Sequence, residues 1–346
     1  MPNQRDLFLS LLRIVRDNMD HVIPASVLGR LGMDRAFCDN YAEPSVPNLP
    51  DGAAEYLQYS NPRLKELKER YSQLNLDVLT PSRWTAEYVA ADLPLERFRG
   101  DCALVWQQRD LNLPSAYALT YYYLCASGHE SLLRSLTEDD LFGPYTLIID
   151  GEYVSRDRLD SLCEILFLDQ FLRIGNHKEM RVLDIGSGYG RLAHRLVQAF
   201  DNTCVLCADV IPEAAFLCEY YLGVRQVSDR AQIIAVDEID RRLADTHVDV
   251  AVNIHSFSEC PARAIVWWLE LLKSHAVPYL MIVPNPEYHG GTQLLSSERG
   301  PERKNFMPIV TDAGYHLVAM EPKFREVNAQ RFGITPTHYF MFKFGG

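Results

Sequence analysis

From residue 181 onward, short apolar runs alternate with stretches of helical periodicity. Such alternation is typical of a parallel sheet whose strands are joined by right-handed crossover helices. The predicted strands are 181–185, 204–208, 232–236, 248–254 and 278–283. Two further apolar runs, 314–320 and 337–343, are separated by a loop rather than a helix, which predicts an antiparallel pair. This part of the chain is therefore predicted to form an α/β fold with a mostly parallel sheet and an antiparallel C-terminal strand.

The preceding part of the chain is dominated by helical spacing. The predicted helices are 5–32, 63–74 with Asn61 as its cap, 81–91 and 114–126. A hairpin around Asp150-Gly151 ends this region, and Ser155 caps a further helix that runs through Arg173. We place a domain boundary here. Residues 1–150 are predicted to be a mainly helical domain that covers a substrate or mediates oligomerisation, and 151–346 the α/β domain.

The composition and net charge of the chain indicate whether it binds a small molecule or a nucleic acid. Apolar residues make up 47% of the 346 positions, so the chain can bury a large core. Its 34 basic and 46 acidic side chains give a formal net charge of −12, and no long basic run offers a surface for a polyanion. We therefore expect a small-molecule partner and no nucleic acid, and leave a homo-oligomer open.

The same chain shows no sign of a membrane or an oxidising compartment. No apolar run reaches the length that spans a bilayer, and the N-terminus lacks the pattern of a signal peptide. The eight cysteines are spread through regular segments, so we expect reduced thiols. These patterns favour a cytoplasmic protein.

The turn after the first predicted strand is the most informative stretch. Gly186, Ser187, Gly188 and Gly190 form a Gly-x-Gly-x-Gly turn between a strand and a helix. Such a turn gathers backbone N–H groups at a positive helix end and lets a ligand approach closely. A dinucleotide-binding fingerprint would have its third glycine one position later. With Asp184 before it, the turn resembles motif I of the class I S-adenosylmethionine (SAM) methyltransferases, which implies SAM as cofactor.

Other strand ends carry polar residues that would meet the same ligand, because ligands of open α/β sheets bind beyond the carboxyl ends of the strands. Asp209, followed by Val210, stands where an acid accepts hydrogen bonds from both ribose hydroxyls, or caps the helix that begins at Pro212. Asp237 and Glu238 would meet the adenine or are surface acids. The cofactor-binding residues are thus predicted to be Asp184, Gly186, Ser187, Gly188, Gly190, Asp209, Val210, Asp237, Glu238 and Asn253.

The end of the fourth strand carries the candidate catalytic residues. Methyl transfer to a hydroxyl needs a base, and a neutral imidazole serves near pH 7. We predict His255 as that base, with Glu259 orienting the imidazole or binding substrate. Asn253 and Asn285 are predicted to line the acceptor pocket. If the helical domain closes over the site, its acceptor-binding residues would be Trp106, Gln107 and Arg109.

Several stretches from about residue 55 to the end resemble the sugar O-methyltransferases of bacterial natural-product pathways. They are Asn61-Pro-Arg-Leu64, Phe98-Arg-Gly-Asp101, Trp106-Gln-Gln-Arg109, Ser155-Arg-Asp157, Leu183–Arg195, Asn253-Ile-His-Ser-Phe-Ser-Glu259 and Ile282-Val-Pro-Asn285. The resemblance implies a SAM donor and a hydroxyl acceptor on a sugar or glycosylated product. Some sugar methyltransferases bind Mg²⁺ through paired carboxylates. Strand four ends without adjacent aspartates, so we expect no metal.

Two other functions remain open at this point. Methylation of a carboxylate or a nitrogen needs no strong base, and His255 would then be dispensable. A non-catalytic SAM-binding partner protein would not require the pair of His255 and Glu259. A carboxylate or nitrogen methyltransferase would differ from a hydroxyl methyltransferase in the acceptor atom. A non-catalytic SAM-binding protein would differ from it by turning over no substrate.

Overall fold

The computed structural model describes residues 47–81, 83–100, 102–105 and 113–345. The helix predicted over 5–32 lies outside these residues. The strands are β1 (Thr146–Ile149), β2 (Glu152–Ser155), β3 (Met180–Ile185), β4 (Thr203–Ala208), β5 (Ala231–Ile234), β6 (Val250–Ile254), β7 (Tyr279–Val283), β8 (Leu295–Arg299), β9 (Glu302–Asn305), β10 (Tyr315–Pro322) and β11 (His338–Phe344).

The α-helices of the described residues range from single turns to almost five turns. They are α1 (Ala53–Tyr56), α2 (Pro62–Ser72), α3 (Ala86–Asp92), α4 (Leu113–Leu124), α5 (Glu130–Ser135), α6 (Arg156–Leu172), α7 (Arg191–Ala199), α8 (Pro212–Val224), α9 (Ile239–Ala244), α10 (Ser256–Glu259), α11 (Ala262–Ser274), α12 (Met307–Asp312) and α13 (Val327–Phe332). Both predicted caps are confirmed. Asn61 Oδ1 accepts a hydrogen bond from the Arg63 N–H at 2.8 Å, and Ser155 Oγ accepts one from the Arg158 N–H at 3.0 Å.

A seven-stranded sheet forms the centre of the α/β part, in the order β10-β11-β7-β6-β3-β4-β5. Strands β3 to β7 pair in parallel, and β11 runs antiparallel to both β7 and β10. Val182, Leu183 and Ile185 are fully buried in the central strand, as expected for a strand covered on both faces. The predicted Rossmann-like α/β sheet with an antiparallel C-terminal strand is confirmed.

The structure contains short elements that the sequence did not predict, and the helix predicted over 81–91 begins only at Ala86. The connection between β10 and β11, predicted as a loop, contains the six-residue helix α13. The Glu326 carboxylate caps it by accepting from the Ala329 N–H at 2.7 Å, so a side-chain cap supports a helix too short for a clear periodic pattern. The hairpin of β8 and β9 was also not predicted, because most of its residues are charged or small and polar.

The described chain divides into two compact units. Among the described residues, one unit contains 47–58, Leu93–Leu162 and Glu326–Ile334; we call it the helical unit. The other contains Tyr59–Asp92, Cys163–Arg325 and Thr335–Gly346; we call it the sheet unit. Since each unit collects separate stretches of the chain, the boundary between residues 150 and 151 stays a prediction. The segment Tyr59–Asp92, which belongs to the sheet unit, is called the strap below.

Candidate functional site

The glycine turn joins β3 to α7, and all three of its glycines have positive φ: +72° at Gly186, +56° at Gly188 and +86° at Gly190. A Cβ at position 186 would lie 2.4 Å from the Ser256 side chain, and one at position 190 would lie 3.0 Å from Cys218 Sγ. A Cβ at position 188 would meet nothing within 4 Å. Packing therefore requires two of the glycines, whereas Gly188 faces open space that a ligand can occupy.

Asp209 follows β4 and is 4% exposed. Its Oδ2 accepts from the Gly188 N–H and its Oδ1 from the Ile211 N–H, both at 2.9 Å. Burial raises the pKa of this carboxyl to about 6, although hydrogen bonds from the N–H groups of Ile211, Gly188 and Val210 act in the opposite direction. Asp209 thus ties the glycine turn to the end of β4, and its bond to a ribose stays a prediction.

Asp184 is buried within β3, where burial raises the pKa of its carboxyl to about 7. The positive charge of Arg191 lowers this pKa in part, while Glu164 and Asp209 raise it. Arg191 binds the Glu164 carboxylate through two hydrogen bonds of 2.8 and 3.0 Å, which fixes α7 against α6. The hydroxyl of Ser187 is buried beside the Cys207 thiol. The turn therefore lies among three buried carboxyls, those of Asp184, Asp209 and Glu164, with Arg191 as a nearby cation.

Asp237 and Glu238, which follow β5, form ion pairs with Arg70 of the helix α2. Arg70 Nε lies 2.6 Å from Asp237 Oδ2, and its Nη2 lies 2.8 Å from Glu238 Oε1. The next residue, Tyr71, donates its hydroxyl hydrogen to the Asp209 carbonyl at 3.3 Å and accepts from the Val236 N–H at 3.2 Å. One helical turn thus bridges the carboxyl ends of β4 and β5.

Sequence reasoning predicted the helix α2 but missed this role of Arg70 and Tyr71. The charged spacing of the helix is equally typical of a solvated surface helix, and a tyrosine among charged residues carries no motif. The only signal was the position of Tyr71 on the same face as Leu64 and Leu67, which marks it as a buried residue. Its partners are set by tertiary structure alone.

Asn253, the penultimate residue of β6, is fully buried. Its Nδ2 donates to the Ile185 carbonyl at 3.0 Å, and its Oδ1 accepts from the Phe257 N–H at 2.8 Å. These two bonds join the end of β3 to α10. The side chain therefore positions the segment that carries His255, and direct contact of Asn253 with a cofactor stays a prediction.

His255 lies between β6 and α10 with φ of +66°, a conformation that non-glycine residues adopt at a cost. Its N–H donates to the Val283 carbonyl at 2.7 Å, and its own carbonyl accepts from the Ser258 N–H at 2.9 Å. The strained turn is therefore held from both β7 and α10. Backbone strain that neighbouring elements maintain in this way is typical of functional positions. His255 follows β6, so it lies at the carboxyl end of the strand next to β3.

Glu259 is bound on both of its carboxylate oxygens. Trp84 Nε1 donates to Oε2 at 2.7 Å, and Asn285 Nδ2 donates to Oε1 at 3.0 Å. The Arg83 guanidinium lies 3.8 Å from Oε1. The structure thus brings together two predicted acceptor-side residues, Glu259 and Asn285, and adds Trp84 and Arg83 from the strap, which the sequence analysis did not single out.

Trp106, Gln107 and Arg109 lie outside the described residues. Within the described part of the chain, no three His, Cys, Asp or Glu side chains are grouped closely enough to hold a metal ion. No helix among the described residues has the length and apolarity needed to cross a bilayer.

Comparisons with known proteins find similarity at the level of fold. No family model and no curated protein matches the chain. Similar solved structures include the SAH-bound magnesium protoporphyrin IX methyltransferase (ChlM) from Synechocystis PCC 6803, with 14% identity over 66% of this chain and 100% of that one and a TM-score of 0.39. A SAM-dependent methyltransferase from Aquifex aeolicus has 19% identity over 54% of this chain and 98% of that one, with a TM-score of 0.36.

A third similar structure is the methyltransferase domain of bacterial CtHen1, with 16% identity over 53% of this chain and 97% of that one and a TM-score of 0.39. Identities and scores this low carry no information on substrate. The fold itself follows from the strand order and from the single antiparallel strand β11 between β7 and β10. It is the Rossmann-like methyltransferase fold that the glycine turn and the strand pattern predict.

Proposed function

We propose that this protein binds SAM and transfers its methyl group to a hydroxyl of a small molecule. The observation that carries the proposal is the convergence of four strand ends: the glycine turn after β3, Asp209 after β4, Asp237 after β5 and His255 after β6. Ligands bind at such a carboxyl edge because backbone N–H groups and loop side chains are concentrated there.

The residues at this edge fit SAM in shape and in charge. Gly188 leaves open the space that a larger side chain would fill, and its N–H is fixed by Asp209. Two carboxyls, of Asp184 and Asp209, are buried with raised pKa values, so each carries an unfavourable negative charge when ionised. A ligand with a sulfonium cation offsets that charge, which a neutral nucleotide of the same size does not.

The acceptor side is assigned to the ends of β6 and β7. When bound, SAM supplies a methyl group that an oxygen nucleophile takes up in line with the breaking carbon–sulfur bond. Since His255 Nδ1 is buried, Nε2 is assigned as the atom that removes the hydroxyl proton. Glu259, oriented by Trp84 and Asn285, keeps lone pairs with which it accepts hydrogen bonds from further hydroxyls of the acceptor.

The charge of this acceptor side favours a hydroxyl compound over an acid. Among the described residues, Arg83 offsets the negative charge of Glu259 only in part, because that guanidinium is 3.8 Å away and its side chain is 48% exposed. A carboxylate acceptor would meet repulsion here. A sugar, a glycoside or another neutral polyol would not, and this is the substrate class that we propose.

The test is the His255→Ala variant, assayed by formation of S-adenosylhomocysteine (SAH) from SAM over a panel of sugars, glycosides, hydroxy acids and amines. Loss of the base should reduce turnover by about 10²–10⁴-fold while the Kd for SAH, measured by calorimetry, stays unchanged. His247→Ala is a matched control, since that side chain is 69% exposed and pairs with Asp249.

Two outcomes would contradict the proposal. Full turnover of His255→Ala on a carboxylate or amine acceptor would remove the histidine from the base role and favour methylation of those atoms. A wild-type protein that binds SAH yet produces none with any acceptor of the panel would favour a non-catalytic SAM-binding protein.

A further inference from the structure

The strap, Tyr59–Asp92, comes before the α/β region in the sequence but belongs to the sheet unit. Its helix α2 packs along α8, where Arg63 lies 2.9 Å from Glu219 and Lys68 lies 2.6 Å from Glu213. The turn at Asp77–Leu79 packs against α11. Trp84 then reaches Glu259. Within the sheet unit, the strap therefore extends from α8, the helix after β4, to α10 and α11, the helices after β6.

Within this segment, Tyr71 makes two buried hydrogen bonds to the ends of β4 and β5. The residue is 4% exposed, and its hydroxyl joins the Asp209 carbonyl to the Val236 N–H. Burial raises the pKa of Tyr71 to about 12, so the hydroxyl keeps the proton that it donates. One of these backbone groups belongs to Asp209, which follows β4, and the other to Val236, which precedes Asp237. Tyr71 thus sets the spacing between the two acids predicted to meet the ribose and the adenine.

Arg70 acts on the second of these acids. Its guanidinium holds the carboxylates of Asp237 and Glu238, two neighbouring anions that repel each other without a cation between them. The hydrogen bond to Asp237 is the main cause that raises the pKa of Arg70, so the guanidinium stays charged. Because both carboxylates retain lone pairs, they can accept hydrogen bonds from a ligand while Arg70 fixes their direction.

We infer that Arg70 and Tyr71 are positioning residues for the adenosine portion of the cofactor, supplied by a segment outside the α/β region of the sequence. The inference rests on the proposed function, since it assigns Asp209, Asp237 and Glu238 to a SAM site. The inference makes the strap part of the SAM site. The residues that follow β4 and β5 would then contact both the helix α2 and the nucleoside of the cofactor.

The experiment measures the Kd of SAH and of adenosine by calorimetry for the full chain and four variants. Tyr71→Phe removes the bridging hydroxyl, and Arg70→Met removes the guanidinium but keeps most of the apolar stem. Arg70→Lys keeps the cation. Arg63→Met is the matched control: Arg63 lies two helical turns earlier, also pairs with two carboxylates, and has a side chain that is 32% exposed against 27% for Arg70.

Tyr71→Phe and Arg70→Met should each raise the Kd of SAH and of adenosine by about tenfold, since each removes hydrogen bonds that orient charged or buried partners. Arg70→Lys should recover part of the loss. Arg63→Met should stay within about twofold, because its ion pairs are partly exposed and lie within α2 or join α2 to the helix α8 rather than to a strand end. Thermal melting of each variant without ligand shows that it is folded, and Arg70→Met remains decisive if Tyr71→Phe does not fold.

Equal Kd values for Arg70→Met and Arg63→Met would overturn the inference while leaving the proposed function intact. A loss in SAH affinity with no change for adenosine would also overturn it, since the effect would then lie on the amino-acid side of the cofactor. A wild-type chain that binds neither SAH nor adenosine would overturn the proposed function and the inference together.

Discussion

Gly186 and Gly188 lie two positions apart in the same turn, yet the structure assigns them different tasks. Gly186 is required by packing, because its missing side chain leaves room for Ser256 at the start of α10. Gly188 borders open space. The pattern of glycines alone predicts a turn that approaches a ligand, and it does not say which glycine faces that ligand.

A matched pair of alanine variants separates these tasks. Gly186→Ala forces a Cβ to within 2.4 Å of Ser256 at a φ of +72°, so it should lower the free energy of unfolding by about 3 kcal/mol or more. Gly188→Ala carries only the backbone strain, about 1–2 kcal/mol, but it should weaken SAH binding by filling the space for the ligand. Denaturant unfolding and calorimetry measure the two effects. Equal stability losses with equal affinities would contradict the assignment.

Buried carboxyls give the protein a pH dependence of definite sign. The pKa of Asp184 is raised to about 7, chiefly by burial, from an ordinary value of 3.8. Between these two values the folded chain binds more protons than the unfolded chain, so stability from this group is present at low pH and is lost as the pH rises towards 7. Asp209 acts in the same direction over a narrower range that ends near pH 6.

The Asp184→Asn variant tests this sign, because an amide of the same shape has no charge to bury. Its melting temperature should exceed that of the wild type more at pH 7.5 than at pH 5, where the Asp184 carboxyl is largely protonated. Asp245→Asn, on the surface, serves as a control for the loss of one acid. A difference from wild type that does not change with pH would contradict an elevated pKa at position 184.

At the scale of elements, strands and caps were predictable because they depend on local sequence. The predicted strand 181–185 is observed as Met180–Ile185, and the hairpin at Asp150-Gly151 pairs Ile149 with Glu152. Short runs of buried residues followed by glycine or acidic turns leave few alternatives for the backbone. Helix α13 and the hairpin of β8 and β9 were missed because their side chains carry little periodic signal.

The strap shows the limit of local prediction at this scale. Its helix α2 was predicted within two residues at each end, since Asn61 and Pro62 mark its start. The helix nevertheless contributes to the candidate site through Arg70 and Tyr71, whose partners lie more than 130 positions further along the chain. Contacts of that separation leave no pattern in a single sequence.

At the scale of the whole molecule, the two compact units predict how the chain tolerates truncation. A fragment of residues 151–346 contains all the predicted cofactor-binding residues but lacks the strap. It leaves Glu213, Asp237 and Glu238 without the cations that the strap supplies. We expect it to bind SAH at least tenfold more weakly than the full chain, as measured by calorimetry.

The control is the fragment of residues 59–346, which keeps the strap and should bind SAH within a few-fold of the full chain. Equal affinities for the two fragments would show that the strap is dispensable for the cofactor. They would also support residues 151–346 as an independent domain, which is the boundary that the sequence predicts.

The sequence by itself determined the fold class, the glycine turn and the candidate residues at the strand ends. These follow from periodicity, glycine conformation and the rule that parallel strands end at one edge, all of which operate over short distances along the chain. Tertiary structure decided the use of each side chain: Asp209 and Asn253 hydrogen-bond to the backbone of neighbouring elements, and Trp84 orients Glu259. Those partners are selected by packing between distant segments, which no local pattern encodes.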